Sequence, residues 1–479
     1  MSEFDDVVIG LEVHVQLETE TKLFCSCSAE FGAEPNENTC PVCMGLPGVL
    51  PVLNRRALKY AMKASRALHC EIQPKMKFDR KNYYYPDLPK AYQISQYDMP
   101  LALEGELEVS ANGETEIVGI ERLHMEEDAG KLIHSEVGSE SFVDYNRAGV
   151  PLAEIVSKPD IRKPKAAADY LRTLKKRMEY LGVSDCNMEE GSLRCDANVS
   201  IREEDGRLGT KVEVKNMNSF KAVSDALAFE IKRQRRLINK KRREEILQGT
   251  RLWDEDKKET RPMREKEEAH DYRYFPEPDL VPVRIPTEWT EEIEQSLPEM
   301  PRERKKRFQQ EYQLSHEDAQ VMTDSRAMAD FYEEAVRECE EPAGVNNLMK
   351  ADLRRELNQR HWTIADVQME PSQLAAIVEL QAEDTISSNV ASELIEEIVE
   401  TGEDPKQIVE ERDLAQISDE GEMHSIISDV IAENPDAVED IQDGNENAIG
   451  FLVGQVMQKS QGQANPQQAN QMLRDEILA

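Results

Sequence analysis

The spacing of apolar residues changes near residue 290, and that change constrains the fold more than any other feature of the chain. Before it, short alternating runs are broken by glycine- and proline-bearing turns, which points to β-rich structure with inserted helices. From Glu291 onward the spacing is helical and turns are scarce. Between Val281 and Pro301, the prolines at 282, 286, 298 and 301 suggest a connector. Asp404-Pro405 reads as an N-cap and first-turn proline that restart a helix after Gly402. Further on, Ile449, Leu452, Val453, Val456 and Met457 fall on one helical face, Gly462 can close that helix, and Asn465-Pro466 can open the last one. At 479 residues the chain exceeds one core. The expectation is an α+β protein: a β-rich cradle with inserted helices over 1–293, an all-α domain over 294–407, and a small all-α tail over 408–479.

Charge narrows the class further. There are 59 Lys+Arg against 95 Asp+Glu, a net charge of −36, and mean hydropathy is −0.65. Self-repulsion on that scale weakens a compact state unless counterions screen it. The acid is spread over the whole chain, which favours adaptation to high intracellular salt over an ordinary acidic protein with acidic tails. Apolar runs such as Ile449–Val453 fall far short of the ~20 residues of a membrane span. Met1 to Asp6 offers neither a basic nor an apolar leader region. The expected setting is the cytoplasm, with no membrane partner.

Three constellations can carry chemistry. As a strand, residues 9–17 put Leu11, Val13, Val15 and Leu17 on one face and Glu12, His14 and Gln16 on the other. A carboxylate and an imidazole so placed can reach one cation, or can form a solvated polar face. The run 123–131 sets Glu126, Glu127 and Asp128 beside His124, as a site or as an acidic surface loop. Glu154 is the only charge in the apolar stretch 151–156, which suits a strand edge or a paired, functional acid. A hairpin about Asp205-Gly206 is expected to bring Asp196 opposite Glu213, unfavourable unless a cation lies between them. Such carboxylates suit hard divalent ions that bridge nucleotide phosphates. No P-loop, Rossmann or G-x-S-x-G motif is present.

Cys25, Cys27, Cys40 and Cys43 form C-x-C-x12-C-x2-C. Four thiolates satisfy tetrahedral zinc with no open position, hence a structural site; free buried thiols are the alternative. Eight of the twelve residues from Lys232 to Arg243 are basic, over a stripe of Val223, Leu227, Ile231 and Ile238. This cationic helix face reads as a polyanion contact or as a solvated face. Tyr83, Tyr84 and Tyr85 can stack an unpaired base or serve as core and turn aromatics.

Taken together, IGLEVHVQL, PVCMGLPGVLPVLN, DRKNYYYPDLPKAYQISQ, HMEEDAGK, NMEEGSLRCDANVS, EVKNMNSF, DYRYFPEPDL and the tail string IGFLVGQVMQKSQGQANP resemble the GatB family, the B subunits of aspartyl/glutamyl-tRNA amidotransferases. With the charge, the resemblance implies an archaeal, halophilic member. It implies phosphorylation by ATP of the side-chain carboxylate of Asp-tRNA(Asn) and/or Glu-tRNA(Gln), then amidation by ammonia. It also implies Mg²⁺ held by a catalytic set of Glu12, His14, Glu126, Glu127, Glu154, Asp196 and Glu213, zinc on the four cysteines, and a tRNA-gripping tail. The implied partners are an amidase subunit (GatA), a small belt subunit (GatC) and misacylated tRNA. Gln248-Gly249-Thr250-Arg251 departs from the usual Gln-Glu-Thr-Arg, which leaves a role for this loop open. A GatE-type subunit, which carries a large inserted domain, and a non-catalytic tRNA-binding zinc scaffold are the alternatives.

Overall fold

The computed structural model describes residues 4–111, 114–134, 140–203, 205–265, 272–416, 420–442, 447–460 and 463–478. It divides into two compact units, Met1–Met300 and Pro301–Ala479.

The first unit is built on a nine-stranded mixed sheet. Its strands are β1 (Val7–Gln16), β2 (Glu71–Ile72), β3 (Ala102–Ala111), β4 (Glu114–Glu127), β5 (Pro151–Ser157), β6 (Leu193–Ile201), β7 (Val212–Lys215), β8 (Gly249–Asp254) and β9 (Glu259–Glu265). The spatial order is β9-β8-β7-β6-β1-β5-β4-β3-β2. Every pairing is antiparallel except β7 with β8. The first strand in sequence therefore lies at the centre.

One face of this sheet is the core. Leu11, Val13 and Val15 are wholly buried there, each burial contributing about 1.5–3 kcal/mol. Three helices cover that face: α1 (Arg55–Ala67), α2 (Pro164–Leu181) and α3 (Phe220–Asn239). Their ends follow local chemistry. The Asn54 side chain accepts from the amides of Arg56 and Ala57, Pro164 opens α2, and Gly182 closes it in the left-handed region at φ 62°. The expected connector is instead folded in: Val283–Arg284 pairs with Lys75–Met76, a helix spans Thr287–Gln295, and Ile285 and Ile293 join this core.

The second unit is helical and holds two separate apolar clusters, one drawn from Phe308 to Val409 and one from Met423 to Ile477. The helix Pro405–Glu411 begins where the sequence places it: Asp404 accepts from the Gln407 amide at 3.0 Å, and Gly402 ends the preceding helix at φ 66°. Ile449, Leu452 and Val456 are buried as their spacing requires, and Asn465 accepts from the Gln467 amide at the start of Pro466–Leu478. Gly462 lies outside the described residues.

Candidate active site and metal centres

The other face of the sheet is polar, and strand register assembles it. Glu12 on β1 stands opposite Asp196 on β6, and His14 stands opposite Arg194 on β6 and Glu154 on β5. Glu154 is in turn opposite His124 on β4, while Glu126 pairs with Leu152 one step along. Glu213 on β7 stands opposite Asn198 on β6 and Thr250 on β8. Because side chains alternate, these positions share one face over six neighbouring strands. A cleft of about 390 Å³ opens over them, lined by Glu12, His14, His124, Glu154, Asp196 and Glu213 and edged by Lys81 and Lys215.

His14 is the centre of this arrangement. Its Nε2 lies 3.4 Å from Glu126 and 3.5 Å from Glu154, and a fifth of its side chain stays open to the cleft. Burial works against a charged imidazole here, but the two carboxylates outweigh it and push the pKa up to about 10. The same contacts act in reverse on the acids. Glu154, with His124 Nε2 at 3.2 Å, is held well below the usual carboxylate range despite its burial. Glu126 is likewise held down, against burial, chiefly by His14. Lys81 lies over the Tyr272 ring at 5.0 Å and the Tyr83 ring at 5.8 Å. Burial opposes its charge, yet Glu126, Tyr274 and Glu154 keep it above the ordinary lysine range.

One imidazole nitrogen and two carboxylate oxygens, from His14, Glu126 and Glu154, lie within 4.8 Å of one another. Such a set fits a hard divalent ion that accepts oxygen ligands and one imidazole. Glu12, Asp196 and Glu213 line the same cleft but stand outside that group; Glu12 accepts from Asn198 Nδ2 at 2.7 Å.

Two expectations change. The hairpin register differs by two residues from the expected one, so Asp196 comes opposite Lys215 and not Glu213. The faces are unaltered, and the cation between the acids is the Lys215 ammonium, bonded to Asp196 and 3.8 Å from Glu213. Glu127 is not brought to the cleft. It follows Glu126 on one strand and so leaves that row; its carboxylate takes Lys90 at 2.6 Å and the Ile94 amide at 2.9 Å. Asp128 is engaged by Arg194 and Gln16, each at 2.8 Å. The expected ligand set leaves out His124, Lys81 and Lys215, which the structure brings to the cleft. For His124 the signal was present, since positions 122, 124 and 126 of one strand must share a face.

The four cysteine sulfurs also lie within 4.8 Å of one another. The Cys40–Cys43 separation is 3.9 Å, close to the ~3.8 Å that tetrahedral Zn–S geometry requires. The Cys25 thiol donates to Cys43 and holds that sulfur far below the usual thiol range, while Cys25 is driven up in return. Lys22, wholly buried, places its ammonium 3.8 Å from Cys43 Sγ and 2.6 Å from the Asn38 carbonyl. The donor set and its neighbouring positive charge fit zinc.

The basic segment is partly spent within the chain. Arg233 pairs with Glu230, Arg235 with Asp6, Arg242 with Glu245 and Arg243 with Glu203, whereas Lys232, Arg236, Lys240 and Lys241 are exposed. The tyrosines divide: Tyr83 meets Tyr272 edge-on at 5.9 Å, and Tyr84 is 92% exposed. Gln248-Gly249-Thr250-Arg251 is not a loop, since Gly249 to Arg251 begin β8.

The first unit is thus an α+β domain that covers one sheet face with helices and gathers carboxylates, imidazoles and ammonium groups on the other. Residues 7–291 match the family model described as GatB/GatE catalytic domain, and residues 330–477 match the one described as GatB domain. The chain belongs to the GatB family. It is 55% identical over 476 residues to the B subunit of the aspartyl/glutamyl-tRNA(Asn/Gln) amidotransferase of Carboxydothermus hydrogenoformans, covering 98% of each chain. It is 52% identical to the protein of the same name from Brevibacillus brevis, covering 99% of each, and 52% to that of Thermoanaerobacter pseudethanolicus, covering 98% and 99%. The match of the second unit to a GatB domain and these names favour the B type over the GatE type.

Proposed function

We propose that this chain works as the B subunit of a tRNA-dependent amidotransferase, a carbon–nitrogen ligase, acting on Asp-tRNA(Asn) and/or Glu-tRNA(Gln). A side-chain carboxylate is a poor electrophile until it carries a leaving group. Its oxygen attacks the γ-phosphorus of ATP and ADP departs. Ammonia then adds to the acyl carbon, phosphate leaves, and a proton is lost as the amide forms. The observation that carries this reading is the row Arg194–His14–Glu154–His124, flanked by Glu12, Asp196, Glu126 and Glu213, on the open face of one sheet.

His14, Glu126 and Glu154 would hold one Mg²⁺ and Glu12, Asp196 and Glu213 a further one, supplying charge stabilisation at the transferred phosphoryl group. Within this chain, Lys215 holds Asp196 and neighbours Glu213, and Lys81 offers an ammonium to phosphate oxygens. Cys25, Cys27, Cys40 and Cys43 would hold a structural zinc, which would stiffen the loop beside the cradle. Glu127, paired with Lys90 on the knuckle side, supports β4 and does not touch the reacting groups.

Ammonia comes from a partner amidase subunit, with a small belt subunit completing the assembly. The two apolar clusters of the second unit correspond to a middle helical domain and a tail that grips tRNA. Among the described residues no helix is long and apolar enough to cross a membrane. The test uses the chain with its amidase partner, ATP, Mg²⁺ and each misacylated tRNA, scoring ADP release and amidated tRNA with ammonia supplied. ADP release that depends on misacylated tRNA is expected. Turnover independent of both tRNAs, or none with either, overturns the proposal.

A further inference from the structure

Thr250 follows Gly249 at the start of β8, and the structure gives it a specific contact. Its hydroxyl donates to Glu213 Oε2 at 2.7 Å, and both residues are buried. The contact arises from the sheet's only parallel pairing among the described strands, where Glu213 and Thr250 are register partners. The other carboxylate oxygen, Oε1, faces Lys215 Nζ at 3.8 Å. Arg251, next along β8, fixes the strand from the opposite side: it donates to the Thr260 hydroxyl at 2.8 Å and lies 3.5 Å from the fully buried Glu230. Thus β8 is clamped by Arg251 while it presents Thr250 to the cleft, which both Thr250 and Glu213 line. A β-branched side chain in a strand has a restricted χ1, so the hydroxyl is aimed without further loss of freedom.

From this geometry we infer that Thr250 is a positioning residue for Glu213, fixing one carboxylate oxygen so that the other is presented to a divalent cation in the cleft. A glutamate carboxylate has only a broad torsional preference about its last bond, and Lys215, already bonded to Asp196, lies 3.8 Å from its other oxygen. Hydrogen bonds to a ligating carboxylate from outside the coordination sphere typically govern about ten- to a hundredfold in metal affinity. Gly249 pairs with Val212, one register step before the Glu213–Thr250 contact.

This inference rests on the proposed role of Glu213, and the test separates the two. Mn²⁺ binding to the full-length chain, bound to its partner subunits, is titrated by the loss of the free-ion electron paramagnetic resonance signal. Four proteins are compared: wild type, Glu213→Gln, Thr250→Val and Thr250→Ser. Expected are a weakening of about tenfold or more in Glu213→Gln and Thr250→Val, retention within about threefold in Thr250→Ser, and metal-free melting of Thr250→Val close to wild type. If Glu213→Gln weakens binding and Thr250→Val does not, or if serine fails to rescue, the positioning inference is overturned. If Glu213→Gln binds as wild type, the reading of Glu213 itself falls. Should valine disturb packing in the metal-free protein, Thr250→Ala replaces it under the same criteria.

Discussion

Raising the pH should tighten divalent-ion binding at the cradle, because His14 must lose a proton before it can serve as a ligand. Its pKa is pushed up from 6.5 to about 10 by Glu126 and Glu154 acting against burial. At pH 7.5 only about one molecule in 300 then has a neutral imidazole, so apparent affinity is reduced by a similar factor. It should climb close to tenfold per pH unit between about 6.5 and 9.5. Stability of the metal-free protein runs the opposite way. A raised histidine pKa contributes stability that is fully present below 6.5 and is lost as pH rises through about 10. The shift is worth at most about 5 kcal/mol, an upper bound because a fifth of the side chain faces solvent. Calorimetric titration of Mn²⁺ into the chain in two buffers of different ionisation enthalpy counts the protons released. Close to one per ion at this site is expected at pH 7.5. An affinity that stays flat from pH 6.5 to 9, with no proton release, would refute the assignment of His14 as a ligand.

Glu126→Gln should lower acyl-phosphate formation by at least about a hundredfold with little change in tRNA binding, as measured by ADP release and filter binding. Glu127→Gln should behave differently, costing about 3 kcal/mol of stability by stranding the buried Lys90, a loss read from thermal melting, while the chemistry survives in the folded fraction. Freshly purified, reduced protein should contain about one zinc per chain by metal analysis, and Cys40→Ser should release it. Melting temperature should rise as KCl approaches molar levels, since screening relieves the repulsion of a −36 chain; a flat or falling curve removes the salt-adapted reading. Removing residues 420–479, a cut that leaves Ile408 and Val409 in their own core, should raise KM for misacylated tRNA far more than it lowers kcat in steady-state assays.

What the sequence disclosed follows from how local each signal is. Alternation on β1 separates Leu11, Val13 and Val15 from Glu12 and His14, and one lone acid in an apolar strand marks Glu154; both are statements about a few consecutive residues. The helix restart at Asp404 is equally local. Register is not local. The hairpin carries Asp196 and Glu213 to the right face, because a two-residue shift preserves alternation, but their partners changed and Lys215 entered between them. Glu127 illustrates a readable signal left unused: consecutive strand residues point to opposite sides, so Glu126 and Glu127 cannot both face one cleft. Lys81 reaches the site from a short strand, Asp79–Asn82, outside the main sheet, a placement that no periodicity encodes. The basic run 232–243 was legible as a helix face, whereas its pairing with Asp6 and Glu203 depends on tertiary contacts.

The central place of β1 also has a consequence for how the chain is made. Its two neighbours, β5 and β6, start at Pro151 and Leu193, so β1 leaves the ribosome well before both and waits for partners synthesised long after it. At ordinary translation speeds that delay is on the order of ten to thirty seconds. During it, the segment VVIGLEVHVQ presents unpaired backbone and a row of aliphatic side chains, the combination that invites strand-to-strand aggregation. Glu12 and His14 alternate with that row in sequence and occupy the opposite face. A carboxylate and an imidazole at these two positions can thus act as gatekeepers, keeping the nascent strand solvated until the sheet closes around it.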